Sequence, residues 1–436
     1  MGKKNLGTAT TVTTMSNKNT ILIEVGGSIR RITLENLINA INEGEQELLH
    51  SVAWGVPLKQ NQSSPDWGRI GNIQLWEEYK SRAGRYLVTN TGKAAKLAVN
   101  NSGVYADGTT LDETKGHIMT IFDDLYYLVK TDATTGIPYL WMSFIPIGGH
   151  CIKRPVIGAY KGSMSGSALT SRSNKTIAGS KTITDFWNAA QVNGKSWGLT
   201  NYEHRKFMMM LALSEYGNPN IQACLGNGVT GTNNNWVDWE TPINTLKTGA
   251  TKSLGDIFGT VPCNYTMSNG TAVTDATRVS VMGIEDPYGW QWEMIQGVYC
   301  GKSENSGQTG AEVFIYEGNR MPTNVELSTH PEGQYRQIER EASEGYISNE
   351  TLGEYFDLFP TAAGGDSTGS TSYWCDYTYA NIASGQLVLW GGYADSGAYC
   401  GLASAYSHHA FSDSGPDVGA RLAYYGELEF CNGAEI

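Results

Sequence analysis

Charge is scarce in this sequence. Only 17% of the 436 residues are Asp, Glu, Lys or Arg, and 31 basic against 43 acidic side chains leave a net charge of −12. That balance excludes a protein that wraps a phosphate backbone, where Lys and Arg must replace the released counterions. Disorder is excluded by the opposite property, a 40% hydrophobic content with little charge repulsion. Long apolar runs are also missing. The longest, such as Phe207 to Leu213, falls far short of a bilayer span, so membrane insertion is not expected. No apolar core follows the N-terminus, since Met1 to Thr20 is polar and rich in Thr and Asn, so export by a signal peptide is not expected either. Cysteine is present seven times, but the number is odd, the spacing is wide and no C-x-x-C pair occurs. This fits neither a disulfide framework nor a zinc site, and reduced thiols are expected.

Motifs of catalysis are missing as well. None of the seven His forms H-x-x-x-H, and neither a G-x-S-x-G nor a P-loop lysine motif appears. His408-His409 is an adjacent pair, whose rings would point to opposite faces of an extended strand and so chelate one metal poorly. Asp123-Asp124 and Glu285-Asp286 are paired acids, expected as solvated or capping residues.

What the chain does hold is Gly, 52 of them, and 11% aromatics. With Asn and Ser they suggest turn-rich β structure and surfaces of aromatic and small polar groups. Residues 1–19 read as a flexible arm. Ile21 to Val25 and Ser28 to Ile32 then flank Gly26-Gly27 as a hairpin, and Thr33 can cap a helix with Leu34, Leu37, Ile38 and Ile41 on one face. Residues 1–53 are thus expected to form a small attachment or oligomerisation module. Residues 54–149 are expected to form a β-rich intermediate domain, with strands at 67–72, 85–88, 118–121 and 125–129. Thr184 is expected to cap a helix over 185–190. Thr200-Asn201-Tyr202-Glu203 matches a capping box opening a helix that runs through Met208-Met209-Met210, taken as core filler, to a stop at Gly217. Pro360 to Ser372 is expected to be a loop.

Several segments together carry a resemblance. Asp286-Pro287-Tyr288-Gly289-Trp290-Gln291-Trp292-Glu293, Leu389-Trp390-Gly391-Gly392 and Gly419-Ala420-Arg421-Leu422 resemble, in order and spacing, segments of C-type lectin folds of the formylglycine-generating-enzyme type. Gly158-Ala159-Tyr160-Lys161, and Gly194 to Leu199 through Gly217 to Gln222, are similar to the opening of that fold in variable proteins of diversity-generating retroelements. The resemblance spans about residues 150–430, and it implies an α+β fold with a C-terminal C-type-lectin-like domain, residues 150–436, behind a β-rich N-terminal region.

Between the last two of these segments lies the window 393–418, YADSGAYCGLASAYSHHAFSDSGPDV. It contains no Lys, Glu, Gln, Met or Trp, although the chain holds 12 Met and 12 Trp. These five types are the ones that an Asn codon cannot reach when its adenines are randomised, which is how retroelement-diversified proteins vary their binding loops. The resemblance therefore implies a variable, ligand-binding face at Tyr393, Asp395, Ser396, Tyr399, Ser404, Tyr406, His408, His409, Phe411, Asp413 and Asp417. Trp390, Gly391, Gly392, Cys400, Gly401, Gly419 and Arg421 would be scaffold. Tyr and Phe supply rigid contact area there, and Ser, Asp and His adaptable hydrogen bonds.

The function so implied is that of a bacteriophage virion protein, made in the host cytoplasm, which binds a bacterial surface protein or glycan. Its N-terminal part would attach to other virion proteins, and it would be a homotrimer. No nucleic acid partner and no cofactor are expected; calcium, which some lectins bind, has no recognisable motif in Asp395, Asp413 and Asp417. Two alternatives are a copper-dependent oxidase of the formylglycine-generating or sulfoxide-synthase kind, which needs two close cysteines where the window has only Cys400, and a capsid or tail decoration protein with no specific ligand.

Overall fold

A computed structural model describes residues 48–59, 66–132, 135–230, 238–302, 310–316, 335–353, 355–364, 375–380 and 386–436, together with three strands within the first 33 residues. Those strands, Ala9–Met15, Thr20–Val25 and Ser28–Thr33, form an antiparallel sheet in chain order. The hairpin is as expected, with Val25 opposite Ser28 and Ile21 opposite Ile32. Residues 9–15, expected as part of a flexible arm, are instead its third strand, where β-branched Thr and Val suit an extended backbone. The helix expected after Thr33 lies outside the described residues.

The rest is a mixed helix and strand structure. Trp54–Pro57, Ile70–Gly71, Leu125–Thr131, Pro138–Ser143 and His150–Ile152 form one antiparallel sheet. A second sheet runs in the order Trp197–Leu199, Leu422–Tyr424, Val156–Gly158, His117–Ile121, Gly84–Val88, Lys93–Ala98 and Glu429–Cys431, with Asn101–Tyr105 beside Lys93–Ala98. Strands from residues 84–121 thus pair with strands from residues 156–431. The expected division at 149/150 therefore falls inside one sheet, because the last strands of the chain return to pair with early ones. The main core has the same span, packing Trp54, Trp67 and Trp76 with Phe207 to Leu213, Tyr288 and Leu402.

Local rules account for the helices. α1, Ile73–Arg82, was not foreseen. The Asn72 side chain caps it, and Trp76 and Tyr79, one turn apart, face the core. It occupies the segment after Ile70–Gly71, so the strand expected over 67–72 shrinks to two residues. α2, Ile183–Gln191, starts two residues earlier than expected, because Thr182 and Asp185 form the capping box. α3, Tyr202–Tyr216, is capped by Asn201 with His204 closing the box, and it ends at Gly217 in the left-handed conformation at φ 56°. Met208, Met209 and Met210 are all buried core, as expected. α3 is enclosed on nearly every side, so even its Arg205 and Lys206 are buried.

The third and largest sheet runs Tyr335–Glu341, Gly310–Tyr316, Trp292–Lys302, Gln386–Trp390, Ala405–Ala410, Tyr377–Ala380, Glu344–Glu350 and Pro360–Ala363, with Val418–Ala420 also paired to Trp292–Lys302. Pro360–Ala363, expected in a loop, is its edge strand, while 365–374 lie outside the described residues.

The segments that carried the family resemblance converge on one residue, Glu293. Its strand pairs with Trp390 on one side and, in parallel, with Gly419 on the other. Its carboxylate accepts from Arg421 Nη2 at 2.6 Å and from Lys161 Nζ at 2.9 Å, and all three side chains are at most 2% exposed. Burial alone would raise this carboxyl, but Arg421 and Lys161 hold it down to about 2. Arg421 also donates to the carbonyls of Gly158, Glu285 and Asp286. Glu285 and Asp286 are not solvated, as expected from the sequence, but buried, and both pair with Arg278 at 2.8 and 2.6 Å. Glu285 further accepts from the amides of Gly249 and Thr251.

Removing one member of a buried ionic group leaves an uncompensated charge, which costs about 3–5 kcal/mol. Glu293→Gln strands Lys161 and Arg421 together and is expected to lower the urea unfolding free energy by roughly that amount; a loss below about 1 kcal/mol would refute the central role given to this carboxylate.

Candidate functional site: an aromatic ledge

The window leaves the buried strand Gln386–Trp390 through two glycines in the left-handed region, Gly391 at φ 89° and Gly392 at φ 78°. A Cβ on Gly392 would overlap the Cys400 sulfur, and one on Gly401 would overlap the Asp376 carboxylate. Only glycine fits at either position. Gly419 has ordinary backbone but lies against Gln291, so a side chain there would also clash. Cys400 is fully buried, and its thiol donates toward the Tyr393 carbonyl at 3.4 Å. Arg205 of α3 then fastens the turn, donating from Nε to the Leu402 carbonyl at 3.2 Å and from Nη1 to the Pro287 carbonyl at 2.5 Å. Glycine at 392, 401 and 419, the buried Cys400 and the Arg205 guanidinium thus fix the backbone of the turn.

Past this turn, Ala405–Ala410 lies parallel to Tyr377–Ala380, with Tyr379 beside Tyr406. Strand alternation buries Thr378, Ala380, Ala405 and Ser407 and turns Tyr377, Tyr379 and Tyr406 to the other face, half-exposed. The result is a ledge of neighbouring rings, some stacked or tilted and others edge to face. Trp239 meets Tyr393 at 5.9 Å, Tyr393 meets Trp292 at 6.0 Å, and Trp292 meets Tyr406 at 4.6 Å between centroids. From Tyr406 one branch leads through Tyr377 to Tyr399, the latter two 4.3 Å apart. The other leads through Tyr379 to His408 at 4.6 Å and on to His409 at 4.1 Å.

The two histidine rings touch rather than face apart, which departs from the strand expectation. The ladder slips one residue between Leu387 and Leu389, a bulge in the strand Ala405–Ala410 that brings both rings to the rim. His409 Nδ1 lies 3.2 Å from Asp413, which also accepts from the Ala410 amide. Burial, with His409 beside it, lowers His408 to about 4, so it is neutral at neutral pH. Among the described residues no group of three or more His, Cys, Asp or Glu side chains could hold a metal.

The eleven expected face residues therefore divide. Tyr399, Tyr406, His408, His409, Phe411, Asp413 and Asp417 are half-exposed, Phe411 standing apart from the ledge against Tyr299 at 6.2 Å. Ser396, Ser404, Tyr393 and Asp395 are buried. Ser404 and Ser396 are structural: the first donates to the Tyr377 carbonyl at 3.0 Å, the second accepts from the Tyr393 amide at 3.1 Å. Tyr393 packs against two tryptophans, stacked on Trp292 and edge to face with Trp239. Asp395, 3% exposed, has one carboxylate oxygen with no partner, and burial pushes it up to about 6. The part of the ledge missed by sequence reasoning, Tyr377, Tyr379, Trp239 and Trp292, lies outside the window. The Y-x-Y alternation of residues 377–379 was the available signal.

No family model and no curated protein matches the chain. Among solved structures, PvdO from Pseudomonas aeruginosa is a distant neighbour, 10% identical, with a TM-score of 0.29 over 71% of this chain and 94% of that one. No described helix is long and apolar enough to cross a membrane.

An acid whose folded-state value is raised loses stability for the fold as pH climbs from its unfolded value through the raised one. For Asp395 that interval runs from the ordinary carboxylate value up to about 6. Asp395→Asn is therefore expected to melt at a temperature close to wild type in acid and above it at neutral pH. Parallel melting curves across that interval would show that the carboxylate is not desolvated.

Proposed function

We propose that the chain is a bacteriophage virion protein that presents the ledge to a bacterial surface ligand, on a C-terminal C-type-lectin-like domain whose window 393–418 is diversified by a retroelement. The observation that carries this reading is the division of labour inside the window. Gly401, Cys400 and Ser404 are fastened into the core, while four window rings, Tyr399, Tyr406, His408 and His409, join one half-exposed aromatic surface, backed by the buried Tyr393. Rigid aromatic anchors ringed by small polar groups are the composition of recognition surfaces. The meeting of the resemblance segments at Glu293 supports the lectin-like assignment. The three-stranded N-terminal sheet is the part proposed to join other virion proteins in a homotrimer, where repeated copies turn weak sites into avid ones.

The oxidase alternative is weaker, because it needs two close cysteines and the window holds only Cys400. The decoration alternative is separated by experiment. Tyr399→Ala and Tyr406→Ala each truncate a central anchor, and anchors of this kind carry about 2 kcal/mol or more, roughly thirtyfold in affinity. Binding of the purified protein to host cells is expected to fall by that factor in each variant, with the fold intact by circular dichroism. Undiminished binding would favour decoration. The genome is expected to hold, beside this gene, a reverse transcriptase and a near-copy of the window rich in Asn codons; a window flanked by neither would refute diversification.

A further inference from the structure

Among the described residues, three arginines lie over an aromatic ring while pairing with a carboxylate. Arg82 lies 4.2 Å from the Phe144 centroid and 3.5 Å from Asp123. Arg278 lies 4.1 Å from the Trp290 centroid and pairs with Asp286. Arg336 lies 4.3 Å from the Tyr355 centroid and pairs with Asp357. A guanidinium serves both partners at once, because it is planar enough to stack and its forked donors match a carboxylate. The open flank of the ledge repeats two parts of this set. Glu344 is exposed, and its carboxylate accepts from the Tyr377 hydroxyl at 3.2 Å. Tyr379 is its direct partner across the ladder, so the carboxylate and that ring stand on the same face. Half-exposed rings continue the surface, Tyr399 at 4.3 Å from Tyr377 and Tyr406 at 6.2 Å from Tyr379. The strands that carry this face, Glu344–Glu350, Tyr377–Ala380 and Ala405–Ala410, contain no Lys or Arg, and neither does the window 393–418. The charges along it, Glu344 beside Tyr377 and Asp413 beside His409, are acidic.

We propose that Glu344, with Tyr377 and Tyr379, forms a subsite for an arginine side chain, and that the ligand of the ledge is a protein presenting that arginine on its surface. The inference rests on the ledge being a ligand-binding face. The guanidinium would donate to the Glu344 carboxylate and lie against the tyrosine rings, as Arg336 does with Asp357 and Tyr355. Charge favours a protein over a glycan. The acids along this face repel an anionic polysaccharide, and an uncharged one would use the rings but gain nothing from the charge of Glu344. Glu344, Tyr377 and Tyr379 all lie outside the window, so this anchor would stay constant while Tyr399 and Tyr406 vary beside it.

The test follows the fluorescence anisotropy of dye-labelled tetra-arginine and tetra-lysine peptides, which carry equal charge, as the full-length protein is added at low salt. Tetra-arginine is expected to bind about threefold tighter or more, the size that stacking on exposed rings supplies. Glu344→Gln is expected to remove that preference. Glu429→Gln, which removes one charge from an exposed position on the edge strand of the second sheet, is expected to keep it. Glu344 is exposed and glutamine still offers an acceptor to Tyr377, so folding is not expected to suffer; a thermal melt checks this. Binding of neither peptide, equal affinity for the two, a preference that survives Glu344→Gln, or one lost equally in Glu429→Gln overturns the inference. Protease treatment of host cells is expected to abolish their binding of the protein; undiminished binding to treated cells would assign the ledge to a glycan and overturn the protein partner. Host-cell binding also separates the two levels. If Tyr399→Ala and Tyr406→Ala abolish it while Glu344→Gln leaves it intact, the subsite fails and the receptor-binding reading stands; if the tyrosine variants bind cells normally, the underlying reading fails.

Discussion

The Glu293 carboxylate, held between Lys161 and Arg421, is the contact on which the rest of the structure depends. Lys161 belongs to the segment that follows the strand Val156–Gly158, Glu293 to the centre of the largest sheet, and Arg421 to the chain's return. The two large sheets are thus clamped together through one buried anion. Such an arrangement is not a cheap source of stability, since apolar residues of similar volume often do as well. What it supplies is register. A shift of the closing strand by one residue would turn Arg421 away from Glu293 and leave both charges buried and alone.

The same clamp shapes the backbone beneath the ledge. Met282, Asp286 and Trp290 all have positive φ, at 46°, 46° and 66°, an uncommon conformation for residues with side chains. Conformations of this kind persist only where their surroundings over-determine them. Here Arg278 holds Asp286, Arg421 holds the carbonyls of Glu285 and Asp286, and Arg205 holds that of Pro287. Arg205 also binds the Gly401 and Leu402 carbonyls, so one guanidinium joins the strained segment to the turn that launches the window. The ledge therefore stands on a base fixed from below, and residues along its rim can change without moving the strands that present them.

Much of this was legible in local chemistry. The stop of α3 at Gly217 and the burial of its Met run follow from a left-handed glycine and from apolar residues packed on a helix. The helix starts moved by one or two residues, because Thr182 and Asn201 compete with Thr184 and Thr200 as caps and only the approach of the chain decides between them. α1 escaped notice although Trp76 and Tyr79 are buried and Ile73 and Leu75 pack part-buried on the core, because a ten-residue span interrupted by Glu77, Glu78, Lys80 and Arg82 is too short to print a clear period on the sequence. The bulge that joins His408 to His409 is a property of pairing with Leu387 and Leu389, two strands' joint doing that neither segment encodes alone.

The sequence by itself determined the scaffold of the window. Gly391, Gly392 and Cys400 are fixed by backbone geometry and close approach, which depend on residue type at one position. It also determined the window's chemistry, aromatic, acidic and without cations. Only the tertiary structure decided which of those side chains reach the surface. Ser396, Ser404, Tyr393 and Asp395 are buried and Tyr399, Tyr406 and His408 are not, because exposure is set by the neighbouring strands Tyr377–Ala380 and Trp292–Lys302, which arrive from distant parts of the chain. Those neighbours also contributed the other half of the ledge, and no count of residues within the window contains them.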